Sequence, residues 1–322
     1  MKEFSEKVPV AEEALLPAMM TICGEHLGLA RGEHLLLVAD PPKRRLAGEM
    51  TDAARELGFS AGLLRIGPIE KTGCAPPEFT TKALTMCAAA LLVTSRSLSH
   101  TEQRRAACHE KGVRIASMPG LSPEMLCRLF KPGKPKEVAE RTLALAARLE
   151  DVCRIRVRNR QGTDFDLELT GRKIYTDTGL YHHPGSFGNL PAGEVCAAPA
   201  ASTLEGRAVV DVAFAGLGAV QSLILELHQG RLKNARGTDA QRLLSLLDKP
   251  EFRVVGEFGI GTNPLARPCE ITLEAEKAIG TVHLGFGDNR SFGGDNAAAG
   301  HWDAVLRCDS LELDGSRLDL LP

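Results

Sequence analysis

"CRIRVRNRQGTDFDLEL", residues 153–169, decides the fold. Two short runs, "CRIRVR" and "DFDLEL", alternate apolar and charged residues around the turn "NRQGTD". That period of two, broken by Asn, Gly and Asp, is the pattern of a β-hairpin with one buried face. On its N-terminal side the rhythm is different. "EHLLLVAD" (33–40), "SAGLLRIG" (60–67), "AAALLVTS" (88–95) and "VRIASMPG" (113–120) are short apolar runs. Helical patterns separate them: "RRLAGEMTDAARELG", "PEFTTKALTMC" and "HTEQRRAACHEKG". Buried strands alternating with helices predict a parallel sheet covered on both faces. Residues 122–149 read as helices, interrupted at "KPGKPKE", that lead into the hairpin.

Beyond the hairpin the strand rhythm continues through "GRAVVDVAF", "SLILELHQGRLKNA", "FRVVGEFGIG", "TVHLGFGDN", "HWDAVLR" and "SLELDGSRLDLL". One helix interrupts it, "TDAQRLLSLLDK" (238–249), with Thr238 as its expected N-cap. The expected fold is an α/β N-terminal parallel-sheet domain, 1–149, plus a β-rich α+β C-terminal domain, 150–322.

Composition excludes several functions. A net charge of −2 without a basic block gives no nucleic-acid footprint, and 4% aromatic content supplies few stacking platforms. The longest apolar stretch, "MCAAALLV" (86–93), is too short to span a bilayer. The opening "MKEFSEKVPVAEEALLPAMM" is acidic and amphipathic, unlike a signal peptide. The nine cysteines never form a CxxC pair, which suits free thiols in a reducing cytoplasm. Cys196, two residues after Glu194, is either a ligand, a nucleophile or a packed thiol. No GxGxxG or GxxxxGK[ST] follows the first strand, and no G-x-S-x-G surrounds Ser95 or Ser97. Asp40 and Arg65 read as polar strand-end residues.

Four C-terminal segments join glycine, a strand end and a metal-ligating side chain. They are "GNLPAGEV" with Glu194, "GEFGIGTNP" with Glu257, "GTVHLGFGDN" with His283, and "GHWDAVL" with His301 and Asp303. These residues lie far apart in sequence, so only the fold can unite them. In a strand, residues two apart share a face, which puts His301 and Asp303 together and Trp302 opposite. An imidazole and a carboxylate on one face can hold one cation, or the acid can orient the ring. Glycine clusters in strands mark bulges or close backbone approach. Three carboxylates buried together demand compensation. Two divalent ions with one hydroxide would balance them, which points to a two-metal hydrolytic centre. Glu276 is an extra ligand, an amine-binding group or a solvated acid. His182 and His183, in a Pro/Gly loop before Glu194, are either a substrate-touching rim or exposed imidazoles.

"GNLPAGEVCAAP", "TVHLGFGDN" and "HWD" resemble segments of the aminopeptidase T / aminopeptidase S family of metallopeptidases. The resemblance covers roughly residues 150–322 and implies a bilobal, cytoplasmic homodimer with two divalent ions (Zn, Co or Mg type). By this resemblance Glu194, Glu257, His283, His301 and Asp303 are the ligands, and Glu194 and Glu257 serve the reaction. The implied substrate is a short peptide, attacked by metal-activated water. Where that family has a tyrosine, this chain holds Arg290. A relative of the same fold, 2,5-dihydroxypyridine 5,6-dioxygenase, is similar in length. It implies one ferrous iron on His283, His301 and Asp303, with Arg290 pairing with a substrate's anion. The first expectation is thus an aminopeptidase-like hydrolase, the alternative a ring-cleaving dioxygenase, and the third a non-catalytic binder of small molecules. None needs nucleic acid or membrane.

Overall fold

The structure, a computed structural model, describes residues 12–70, 73–99 and 101–321. Residues 1–11 of the acidic N-terminal stretch lie outside them. The chain forms two compact units. The first runs to Ala139 and takes up Gly179–Ala192; the second holds Glu140–Thr178 and Gly193–Pro322. Where the sequence suggested one boundary at 149/150, the division falls within a helix and the chain returns once to the first unit.

In the first unit the four apolar runs become β1 (His34–Ala39), β2 (Ser60–Arg65), β3 (Ala89–Val93) and β4 (Arg114–Ser117). The helices are α1 (Glu12–Met20), α2 (Arg44–Glu56), α3 (Glu78–Leu84), α4 (Glu102–Lys111), α5 (Pro123–Leu129) and α6 (Lys134–Leu149). The strands pair in parallel in the order β2-β1-β3-β4. β3 is buried at every residue, as a strand covered on both faces should be. α4 ends at Gly112, whose φ of 68° supplies the left-handed cap. Asp40, fully buried, accepts from the Ser95 backbone N–H at 2.9 Å and from the Ser95 hydroxyl. That bond ties the loop after β1 to the loop after β3.

In the second unit the hairpin of residues 153–169 is β5 (Arg154–Arg158) and β6 (Asp164–Glu168), in register from Arg154 opposite Glu168. Then come β7 (Tyr175–Asp177), β8 (Phe187–Asn189), β9 (Glu194–Ala197), β10 (Glu205–Val210), β11 (Ala213–Phe214), β12 (Gly218–Ala219), β13 (Leu223–His228) and β14 (Arg231–Arg236). α7 (Ala240–Leu246) precedes β15 (Val255–Gly261), and α8 (Thr272–Ala275) precedes β16 (Thr281–Gly287). β17 (His301–Arg307), β18 (Ser310–Leu313) and β19 (Ser316–Asp319) close the chain. β8 belongs to the first unit, where it pairs in parallel with β4 as a fifth strand. The other strands make two seven-stranded antiparallel sheets: β14-β13-β10-β6-β5-β18-β19 and β12-β11-β17-β16-β15-β9-β7. Their facing sides share one core, including Ile155, Phe165 and Leu225 from the first and Phe258, Leu284 and Leu306 from the second. Phe165 meets Phe258 edge-on at 6.4 Å. The N-cap of α7 is Asp239 rather than Thr238, and it makes no side-chain capping bond. Its carboxylate instead pairs with Arg242 at 2.6 Å.

Candidate metal centre

Alternation sorts the second of these sheets into two chemistries. Phe258, Ile260, Val282, Leu284, Ala304 and Leu306 face the shared core. The residues between them face the other way. Directly paired residues of antiparallel strands point to the same side. Glu194 stands opposite Asp177 and Gly261, His283 opposite Gly259, and Gly285 opposite both Glu257 and Asp303. Four neighbouring strands therefore deliver Glu194, Glu257, His283 and the His301–Asp303 pair to one face. Trp302 turns toward the core and packs on Phe252 at 4.9 Å.

The glycines make this possible by their lack of a side chain. A Cβ on Gly259 would lie 2.1 Å from His283 Cε1, and one on Gly285 would lie 2.5 Å from His301 Nε2. Each imidazole thus lies across bare backbone of the adjacent strand. On Gly261 a Cβ would meet the Ala278 carbonyl at 2.1 Å. The segment after α8 can therefore come down onto the sheet, and it brings Glu276 and Lys277.

The ligand atoms fall into two groups, in each of which they lie within 4.8 Å of one another: Glu194, Glu257 and His283; and Glu257, His301 and Asp303. Glu257 belongs to both. His301 Nε2 lies 2.9 Å from Glu257 Oε2 and 3.0 Å from Asp303 Oδ1. Metal–ligand bonds near 2.1 Å set adjacent octahedral ligands about 3 Å apart, so this trio fits one cation. His301 Nδ1 donates to the Asp288 carbonyl at 2.9 Å, which aims Nε2 at the carboxylates. His283 Nε2 lies 3.5 Å from Glu257 Oε1 and 3.6 Å from Glu194 Oε2. Glu194 Oε2 is buried without a hydrogen-bond partner among the described residues. The donor set and its glycine cradle therefore fit a divalent ion. His283 stands in the group with Glu194, while His301 and Asp303 stand in the other, so Glu257 links the three residues expected to form a facial triad.

Lys277 is the functional group that the sequence did not disclose. Its side chain is 1% exposed, and its ammonium lies 2.5 Å from Glu194 Oε1 and 2.9 Å from Glu276 Oε1. Burial opposes its charge, but Glu194, Glu276 and Asp177 more than offset that, and its pKa rises well above the ordinary lysine value. Burial, with the Asp303 and Glu194 charges, pushes Glu276 up to about 8 despite Lys277. Against the same desolvation, bonds from His283 and His301 hold Glu257 well below the usual carboxylate range. Burial would also lower both imidazoles, yet their carboxylate partners raise His283 to about 9 and His301 well above 6.5. Cys196 is a packed thiol, driven well above 9.0 by burial and then by Glu257 and Glu194.

The remaining sequence candidates stand apart. Arg290 is exposed, with Nε 2.8 Å and Nη2 2.5 Å from Asp288 Oδ2, so its charge is answered outside the cluster. His182 and His183 belong to the first unit; His182 Nε2 donates to the Glu25 carbonyl at 2.7 Å, and His183 is exposed.

Comparison with known proteins agrees with this architecture. A protein named 2,5-dihydroxypyridine 5,6-dioxygenase from Pseudomonas putida KT2440 is 26% identical over 245 residues, 70% of this chain and 68% of that one. The solved structure of 2,5-dihydroxypyridine dioxygenase from Pseudomonas putida KT2440 superposes with a TM-score of 0.79 at 20% identity, covering 97% of each chain. Wild-type AmpT from Thermus thermophilus follows with a TM-score of 0.68 at 18% identity, over 96% of this chain and 98% of that one. At those identities the two structures establish the shared fold. A family model, NicX: 2,5-dihydroxypyridine 5,6-dioxygenase, matches residues 19–318, and this chain therefore belongs to that family.

Proposed function

We propose that this protein is a mononuclear metal-dependent dioxygenase that opens hydroxylated nitrogen-heteroaromatic rings, with one ferrous ion held by Glu257, His301 and Asp303 and flanked by His283. Family membership supports the reaction class over the peptidase that the sequence put first. The observation that carries the metal count is Lys277. Glu194, Glu257 and Asp303 would need two divalent ions and a hydroxide if they stood alone. The buried ammonium against Glu194 answers one of these charges, and one divalent ion answers the other two.

A bound ferrous ion would supply the electron transfer that lets dioxygen attack an electron-rich ring. The chain's own groups do the rest. The Asp288 carbonyl fixes the His301 tautomer. The buried Lys277 ammonium holds Glu194 in place through Oε1. Glu276, pushed up to about 8 by burial and its acidic neighbours, is the group beside Lys277 placed to exchange a proton inside the cluster.

A two-metal hydrolase is the second reading, favoured by the sharing of Glu257 between two ligand groups. Metal analysis after anaerobic purification, with oxygen uptake on 2,5-dihydroxypyridine and release from aminoacyl-p-nitroanilides, separates the two. One iron per chain with oxygen uptake is expected. Two zinc- or cobalt-like ions per chain with nitroaniline release would overturn the dioxygenase. A binding protein would show neither turnover.

A further inference from the structure

The cluster is most closed at His283 and most open at Asp303. Side-chain exposure is 1% for His283 and 5% for Glu257, but 12% for Glu194, 13% for His301 and 19% for Asp303. An aromatic ring stands beside the open side. Phe292 lies 5.6 Å from the His301 ring at an interplanar angle of 41°. Tyr175 meets Phe292 edge-on, at 6.1 Å and 90°. Tyr175 pairs with Cys196 in the sheet, so it shares the face that carries Glu194 and Glu257. Both aromatic rings are half-buried, in a chain whose aromatic content is only 4%.

The loop that carries Phe292 is fixed by its own polar groups. Asn296 Nδ2 donates to the Gly287 carbonyl at 2.7 Å and the Glu251 carbonyl at 2.8 Å, and the Asn296 N–H donates to Asn289 Oδ1 at 2.8 Å. The Phe292 N–H donates to the Asn289 carbonyl at 3.0 Å, and Gly293 turns the chain at a φ of 76°. Arg290, clamped by Asp288, belongs to this scaffold. A phenyl group held this firmly beside a ligand imidazole is a wall placed in advance of any ligand.

We propose that Phe292, buttressed by Tyr175, is a specificity-determining residue that selects planar aromatic ligands at the open side of the metal centre. The inference rests on reading the cluster as a metal site, and it concerns ring recognition rather than ring cleavage. A flat ring approaching His301 and Asp303 meets the face or edge of Phe292 and gains aromatic contact. A chelator without a ring gains nothing there.

The test is binding of two chelators to the metal-loaded protein: 4-nitrocatechol, planar and read by its own absorption band, and acetohydroxamate, which has no ring. Phe292→Leu keeps apolar bulk and removes the aromatic face. It should weaken 4-nitrocatechol by roughly three- to tenfold and leave acetohydroxamate and metal content unchanged. Phe292→Tyr should restore wild-type affinity. Equal loss for both chelators, no loss for either, or a wild-type protein that binds no 4-nitrocatechol would overturn the wall. Absence of turnover on 2,5-dihydroxypyridine, with Phe292-dependent 4-nitrocatechol binding intact, would sink the dioxygenase and spare this inference.

Discussion

The two seven-stranded sheets of the second unit both carry charge on the side away from their shared core, and they handle it in opposite ways. On the sheet that begins with the hairpin, Arg154 meets Asp166 at 2.8 Å, Arg156 meets Asp164 at 2.9 Å, and Arg158 meets Glu312 at 3.3 Å. These side chains are about a quarter to three-fifths exposed, so water does most of the solvating and the charges answer one another locally, Asp164 also lying 3.6 Å from Arg158. Against the other sheet, four acids, two imidazoles and a lysine are nearly all buried. Their compensation is incomplete unless protons or a cation complete it. Charge alone does not make a site; charge that the fold has desolvated and left short of a partner does.

The largest test of that contrast is Lys277→Met, which leaves Glu194 buried beside other acids without its ammonium. Removing one partner of a buried pair is destabilising by about 3–5 kcal/mol. Urea unfolding of the metal-free variant should show a loss of that size, and added zinc should recover part of it by taking the vacated cation position. A loss under about 1 kcal/mol would mean that the ammonium does not compensate Glu194.

The second test is proton release. In the metal-free protein His283 is raised to about 9 by its carboxylate neighbours, and His301 is raised well above 6.5. Both therefore carry protons at pH 7, and a cation held by Glu257, His301 and Asp303 must displace the one on His301. Metal affinity is lowest in acid and climbs as pH rises, by about tenfold per pH unit for that one displaced proton. Calorimetry in buffers of different ionisation enthalpy counts the protons directly, and none released at pH 7 would break the charge argument.

A smaller effect is expected from Gly259→Ala, whose methyl would collide with His283. Overpacking of this kind costs about 1–3 kcal/mol, and here it also displaces the His283 ring from the cluster. A thermal melt and metal content should fall together. The same glycines explain what the sequence made legible. Alternation in "HWDAVLR" placed His301 and Asp303 on one face, and glycine in strands signalled close approach, so the convergence of Glu194, Glu257, His283, His301 and Asp303 could be read. Lys277 could not, because a lysine in "EAEKAIG" looks like a solvated helix end until Gly261 lets that segment settle on the sheet. Nor could β8: three residues, "FGN", inside a Pro/Gly loop carry no period of their own and become a strand only beside β4. Thr238 failed as a cap because local preference is weak beside the geometry that places Asp239 there. Short-range pattern fixes strands of five or more residues and their faces. Contacts made by single residues across the fold stay hidden.

The smallest effect should come from the exposed sheet. Arg156→Ala removes a guanidinium that reaches Asp164 through two bonds of 3.0 Å, yet both groups remain in water when parted. Such pairs contribute about 0–1 kcal/mol, so unfolding should shift by less than about 0.5 kcal/mol and metal content should stay the same. The variant is informative because its partner geometry is as good as any in the buried cluster. Equal geometry with unequal consequence isolates desolvation as the cause. A metal loss in Arg156→Ala would instead show that the two charged faces are energetically linked through the shared core, and the contrast between them would fall.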